Sequence, residues 1–311
     1  MMLPVIGLPE ISRIATPELV FTAVRDALIA HAAGRTSVPP PMVLDFPAHA
    51  GDSHVKAGYV EGSPYFVVKI ASTFGSVNNG LMLVVDATSG TPAAVLADEG
   101  KLTAWRTAAA GALITDAMTP VGVDEVAVLG TGEQALLQVR WLRRLRPLRR
   151  VKVWGRRPEA VSRICAAFAK DGLDARPDGL DGAVCVIATT AAREPLPGEA
   201  FRSAIQVTGI GTDMPGKGEL PVEVFAGAVI ATDDHDQCLD HGDFGNAVRA
   251  GVVADDADLA VGTVLRDGVE RAHRSVADLT GIGAVDAGVA AAVVARAVAA
   301  EAVKGRPLPD Q

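Results

Sequence analysis

The sequence predicts an α/β protein: a doubly wound parallel sheet, plus a second α+β domain built on an antiparallel sheet. Three observations predict it. Short apolar strands alternate with helices from Val123 onward, β-rich segments separated by turns fill Leu44 to Leu96, and Ala-rich helices flank both regions. The 311 residues suit one large or two medium domains with ample core.

Taken in order, Thr16-Pro17-Glu18 opens the first helix: Thr16 is an N-cap type, Pro17 fits the first turn and Glu18 complements the helix dipole. Leu19, Val20, Ala23, Ala27, Leu28 and Ala30 form its apolar face, and Gly34 stops it. Val38-Pro39-Pro40-Pro41-Met42 forces an extended chain. Strands follow at Ser53–Tyr59, Tyr65–Ile70 and Leu81–Val85, with turns at Glu61-Gly62-Ser63-Pro64 and Asn78-Asn79-Gly80. An Ala-rich helix begins near Leu102 and ends near Met118, before Pro120. Then come a strand at Glu125–Leu129, a helix from Glu133 to about Leu145, a strand at Val151–Trp154 and a helix from Pro158 to Lys170. Further apolar runs lie at Ala183–Thr189, Ala204–Gly209 and Ala228–Thr232, and a long helix spans Ala284 to Val303. That last helix is expected to return to the first domain.

Composition narrows the function. A formal net charge of −8 argues against nucleic acid and anionic membrane as partners. The local run from Arg140 to Arg150 reads as the solvated end of a helix and its turn. Three cysteines, Cys165, Cys185 and Cys238, lack C-x-x-C spacing, so no metal site and no disulfide framework is expected, and Cys185 reads as core. No apolar run reads as a membrane span and the N-terminus lacks a basic region followed by an apolar stretch, so a soluble, cytoplasmic protein is expected.

Gly130-Thr131-Gly132-Glu133-Gln134-Ala135 is G-x-G-x-x-A between a predicted strand and a predicted helix. Gly130 permits the tight turn, Gly132 lets a pyrophosphate approach the backbone, and Ala135 keeps helix and strand close, the signature of a Rossmann dinucleotide site. An acid closing the second strand would bind the ribose 2′-hydroxyl of NAD. The chain has Trp154-Gly155-Arg156-Arg157 instead, whose guanidiniums suit a 2′-phosphate, so NADP(H) is favoured over NAD(H). Thr189, Gly211 and Gly283 complete the set of candidate cofactor residues. Asp213, in Gly211-Thr212-Asp213-Met214-Pro215-Gly216-Lys217, follows an apolar strand and lies at the carboxyl end of the sheet, where ligands bind. There it reads equally as a proton shuttle and as a turn residue or helix cap.

Beyond the glycine loop, the chain resembles the ornithine cyclodeaminase/mu-crystallin family. The resemblance rests on Phe66-Val67-Val68-Lys69, Leu102-Thr103-Ala104-Trp105-Arg106-Thr107-Ala108-Ala109, the glycine loop and the stretch from Gly211 to Leu220. Asp236-Gln237-Cys238, His241-Gly242 and Thr280-Gly281-Ile282-Gly283-Ala284-Val285-Asp286 extend it in the same order over nearly the whole chain. It implies that Lys69 and Arg106 clamp the substrate α-carboxylate and that Asp213 moves the proton at the substrate nitrogen. It also implies a homodimer formed through the antiparallel sheet. Residues 1–119 and 284–311 would then be the substrate-binding and dimerisation domain, and residues 120–283 the dinucleotide domain. By residue pattern alone, Lys69 reads as a solvent-facing strand residue and Arg106 as a surface helix residue.

The chain departs from that family around the substrate. The extended segment after the first helix, where many members carry a carboxylate-binding Arg, reads Pro39-Pro40-Pro41-Met42 and puts Met42 at that position. His54 stands where several members have Glu, and it reads equally as a substrate contact, together with Lys56, and as a plain strand residue. The expected function is reduction of a small imino acid by NAD(P)H, or the reverse amino-acid dehydrogenation, with Lys69 and Asp213 catalytic and Lys69, Arg106 and His54 on the substrate. A cyclodeaminase that recycles bound NAD, or a non-catalytic ligand-binding protein, are the alternatives.

Overall fold

Strand formation in the N-terminal third follows the alternation of its side chains. The computed structural model describes residues 3–75, 77–178, 182–270 and 273–303. The chain divides into two units, Met1–Arg106 with Ile282–Gln311 and Thr107–Gly281.

The first unit begins with β1 (Val5–Gly7), α1 (Leu8–Ile14) and α2 (Pro17–Ala32). Thr16 caps α2, its side chain accepting from Leu19 N, and the chain leaves the helix through Gly34 at φ 68°. Strands β2 (Thr36–Ser37), β3 (Met42–Phe46), β4 (Gly51–Val60), β5 (Tyr65–Phe74), β6 (Val77–Asp86) and β7 (Pro92–Ala97) follow, then α3 (Lys101–Met118), within which the division between units falls. The sheet runs β1-β7-β6-β5-β4-β2, with β3 also paired to β4. It is antiparallel except at β1–β7, which is parallel, so the expected antiparallel sheet is mixed at one edge. The turn expected at Asn78-Asn79-Gly80 is instead ladder: these residues pair with Thr73, Ser72 and Ala71. The left-handed residue lies earlier, at Gly75 (φ 60°).

One face of this sheet, bearing Val67, Met82, Val84 and Leu96, is buried. The C-terminal helix α9 (Gly283–Val303) lies over it and beside α2. Glycine permits the approach: a Cβ on Gly58 would overlap Gly283 O, and one on Gly283 would overlap Ala57 O. Contrary to expectation, α9 contains an 18-residue stretch, Gly283–Ala300, whose mean hydropathy of 1.6 is enough for a membrane span. Its apolar composition matches its place between α2 and the sheet, where small side chains allow close packing.

The second unit alternates β8 (Glu125–Leu129), α4 (Glu133–Leu142), β9 (Arg150–Trp154), α5 (Pro158–Lys170), β10 (Asp174–Arg176), β11 (Cys185–Ala188), β12 (Gln206–Gly209) and β13 (Val229–Thr232). It continues through α6 (His235–His241), α7 (Asp243–Arg249), β14 (Asp258–Ala260), α8 (Val261–Asp267) and β15 (Ser275–Asp278). All eight strands are parallel, in the order β10-β9-β8-β11-β12-β15-β13-β14. The order reverses between β8 and β11, which places the switch point of a doubly wound sheet at the carboxyl ends of those two strands. Leu129, Val186, Val207, Phe225, Phe244 and Val276 belong to its core. Cys185 is core as expected, and burial pushes its thiol up to about 11. The arginine run is exposed except at Arg146, which pairs with Asp116 at 2.8 Å and donates to Thr119 O.

Candidate active site

The first unit holds a buried charge cluster. Lys56, Lys69, Met82 and Leu96 form one row across four strands, so the two lysines rise on the face that α9 covers. Asp286 comes from the first turn of α9. Lys69 Nζ lies 2.7 Å from Asp286 Oδ2 as an ion pair, and Arg106 Nε donates to Asp286 Oδ1 at 2.8 Å. Lys69 is 2% exposed, Arg106 5% and Asp286 1%, which overturns the solvent-facing readings of Lys69 and Arg106. Burial, then the Arg106 charge, pulls the Lys69 ammonium down to about 7 against the attraction of Asp286. Burial pushes Asp286 upward, but Arg106 and Lys69 outweigh it and hold the carboxyl below the usual carboxylate range. Asp98 starts α3 by accepting from Leu102 N at 2.8 Å, and burial raises its carboxyl.

His54 lies on the same sheet face as Lys56, 8% exposed, with Nε2 3.2 Å from Asp52 Oδ1. Met42 does not share that face. It pairs with Val55, on the opposite side of the sheet from His54 and Lys56, and is 56% exposed. The β3 residue on the His54 side is Val43, its direct partner.

In the second unit the glycine loop joins β8 to α4. Gly130 has φ 132°, and a Cβ there would overlap Thr189 Oγ1 and lie 2.9 Å from Thr189 O. Thr189 donates to Leu129 O at 3.1 Å, so Gly130 and Thr189 meet across the switch point. Gly132 is the N-cap of α4 with extended backbone and no side-chain cap, and a Cβ on it would meet nothing within 4 Å. A helix N-terminus behind an open backbone fits a dinucleotide pyrophosphate. Thr131 lies against Gly155, where a Cβ would come within 2.6 Å of Thr131 Cγ2, which holds the ends of β8 and β9 together. Glu133 opens α4, and Gln134 Oε1 accepts from Gln138 Nε2 at 3.2 Å. Arg156 and Arg157 leave β9 exposed, and among the described residues neither guanidinium has a hydrogen bond or ion pair. Gly283 belongs to the first unit, and its missing side chain is explained by the contact with β4.

Asp213 follows β12 on a loop anchored at both ends. Lys217 Nζ donates to Asp213 Oδ1 at 2.6 Å, and the aspartate side chain is half-exposed. Just before it, Thr212 donates to Asp278 Oδ1 at 3.2 Å. The anchor that sequence reasoning left without a role is Glu219, fully buried. Its Oε1 accepts from Ile210 N and Gly211 N at 3.0 and 2.7 Å, and its Oε2 from Thr190 N at 2.7 Å. It thereby ties the ends of β11 and β12. Gly211 must be glycine here, since a Cβ would overlap Thr190 O.

Beneath this loop Asp243 Oδ1 accepts from Glu219 N at 3.0 Å, and Asp278 Oδ2 from Phe244 N at 2.8 Å. Burial raises all three carboxyls, Asp278 to about 7. A carboxyl that binds its proton more tightly when folded stabilises the fold fully below its unfolded value and loses that contribution as pH rises through the folded value. Between pH 3.8 and about 7 Asp278 therefore makes the melting temperature fall with rising pH, a contribution that Asp278→Asn is expected to remove; equal slopes for wild type and variant over that range by calorimetry would contradict it.

Known proteins resemble this chain along nearly its whole length. The family model described as the ornithine cyclodeaminase/mu-crystallin family matches residues 11–301. A candidate dehydrogenase of Rhizobium meliloti is 33% identical over 300 residues, covering 90% of this chain and 91% of that protein. Iminosuccinate reductase of Paracoccus denitrificans is 28% identical over 306 residues, covering 93% and 95%. The crystal structure of that reductase in complex with NAD+ superposes with a TM-score of 0.87 at 25% identity, covering 96% of this chain and 97% of the other.

Proposed function

We propose that this chain, which belongs to the ornithine cyclodeaminase/mu-crystallin family, is a nicotinamide-dependent oxidoreductase that reduces the C=N bond of a small imino acid or oxidises the corresponding amino acid. The observation that carries the reading is the buried Lys69–Asp286–Arg106 cluster, in a protein that also has a complete glycine loop at a sheet switch point. The nicotinamide, when bound, supplies or accepts the hydride at the substrate α-carbon.

The chain's own residues do the rest. Lys69 and Arg106 hold the α-carboxylate with charge-assisted hydrogen bonds, and Asp286 fixes both cations so that the α-carbon is presented in one orientation. Because Lys69 rests near 7, an incoming carboxylate draws its proton back on and strengthens its own seat. Asp213 hydrogen-bonds the substrate nitrogen and carries its proton, with Lys217 holding the carboxylate in place between turnovers.

Arg156 and Arg157 support NADP(H) as the preferred cofactor, since two exposed guanidiniums after β9 suit a 2′-phosphate and no acid stands at that point. Purified protein is expected to consume NADPH with imines formed from 2-oxo acids and ammonia. Replacing both arginines with Ala should shift the NADPH-over-NADH preference by roughly tenfold or more. An unchanged preference would assign the 2′ end of the cofactor elsewhere.

A homodimer through the first unit's sheet is part of this reading. The sheet face away from α9 carries Met42, Leu44, Phe46, Ile70, Phe74 and Leu81, each at least 36% exposed, an apolar surface that soluble monomers rarely leave open. Light scattering should give the mass of two chains, and Ile70→Lys with Leu81→Lys the mass of one. A monomeric wild type would refute it.

A further inference from the structure

We propose that Glu219, Asp243 and Asp278 are positioning residues for Asp213: as one buried stack they hold its loop in place, and they do so only while the stack carries protons. The inference rests on Asp213 as the group that carries the proton at the substrate nitrogen. All three side chains are fully buried, and they fasten the loop at both ends. At its start, Glu219 accepts from Ile210 N and Gly211 N, and Asp278 accepts from the hydroxyl of Thr212, the residue before Asp213. At its end, Glu219 N donates to Asp243, and the next residue, Phe244, donates its N–H to Asp278.

Among the described residues no lysine, arginine or histidine pairs with any of the three. Asp243 Oδ2 is buried without a hydrogen-bond partner, so a full charge there would go uncompensated. The groups packed around the stack do not supply the missing charge. Asp233, just after β13, accepts from Thr280 N and Gly281 N at 3.0 and 2.6 Å. Cys238 and His241 come from α6, with His241 Nδ1 3.0 Å from Asp240 Oδ2. His235 pairs with Asp258, Lys217 pairs with Asp213, and Arg193 is exposed beside Gly216. Burial first, and then the neighbouring carboxylates, raise Asp243 and Asp278. Opening the loop lets water reach these carboxyls, which then ionise at ordinary values, so opening releases protons. Rising pH therefore favours opening from the ordinary carboxylate range up to the raised folded value, and has no further effect above it.

The test is hydrogen-exchange mass spectrometry of the full-length protein from about pH 5 to about 8.5, with exchange times scaled to constant intrinsic exchange. Protection of the segment from Ile210 to Glu219 is expected to fall roughly tenfold per pH unit up to about 7 and to level off above it. Asp278→Asn should flatten that dependence, because its amide donates to the Thr212 hydroxyl and accepts from Phe244 N as the protonated acid does. In imine reduction, kcat should fall as pH rises through about 7 in wild type and show no such step in the variant. Lys69 also rests at about 7, but it seats the carboxylate and acts on KM, so the split between kcat and KM separates the two. A melting curve shows whether the variant is folded, and the wild-type profile decides the matter alone where it is not. Protection independent of pH in wild type, the same slope in folded Asp278→Asn, or a kcat step that survives the substitution overturns the proposal. The expected protection profile without turnover of any imine would keep the stack as the anchor of the loop and end the redox reading. Turnover of imines with flat protection would do the reverse.

Discussion

Asp286→Ala should cost about 3–5 kcal/mol of stability, because it leaves two buried cations without their counterion. Lys69 and Arg106 both depend on that one carboxylate, at 2.7 and 2.8 Å, and neither reaches solvent to compensate. Lys56 adds a third positive charge within range, so truncation turns an attractive cluster into a repulsive one. Denaturant titration at neutral pH reads the effect; a loss below about 1 kcal/mol would show that solvent or relaxation had replaced the carboxylate. The pH dependence has a definite sign. Asp286 is held below its unfolded value of 3.8, so its contribution is present above that value and is lost as pH falls through the depressed folded value. The gap between wild type and variant should therefore narrow in acid. Where the variant remains folded, carboxylate binding should weaken with it, since Lys69 and Arg106 are no longer fixed.

Gly132→Val should separate binding from folding. The backbone at Gly132 is extended, which any residue adopts, and a Cβ there meets nothing within 4 Å. The fold should lose no more than about 1 kcal/mol, the order of a helix-cap change. The dinucleotide should bind on the order of a hundredfold more weakly, since the isopropyl group stands where the pyrophosphate approaches the backbone. Gly130→Ala should behave differently: it needs φ 132° and overlaps Thr189, so it unsettles the fold itself by about 1–3 kcal/mol. Fluorescence titration with NADPH, alongside melting curves, tells the two apart. Unimpaired NADPH binding by Gly132→Val would remove the glycine loop from the cofactor site.

Much of this was readable in the residues. The βα alternation after Val123 and the Thr16 cap both depend on local chemistry, and the strand Glu125–Leu129 and helix Pro158–Lys170 appear where periodicity puts them. What was not readable depends on contacts distant in sequence. Asp286 meets Arg106 across 180 residues, and in sequence it is one acid on an Ala-rich helix. Glu219 gains its role only because β11 and β12 are neighbours, which brings Thr190 and Gly211 to the same carboxylate. Met42 was misplaced for a related reason: strand register, not proximity in sequence, decides which side of the sheet a residue faces. Strands as short as Asp174–Arg176 and Asp258–Ala260 carry too few side chains for a period to show.

The most direct measurement is hydride transfer followed with NADPH deuterated at nicotinamide C4. Purified protein is incubated with this cofactor, ammonia and a panel of 2-oxo acids, and the amino acid formed is analysed by mass spectrometry. The account predicts one deuterium at the α-carbon of the product for each NADPH oxidised, and little or no turnover in folded Lys69→Met. Ammonia released from a diamino acid with no net change in cofactor would contradict it, as would cofactor binding without transfer to any member of the panel.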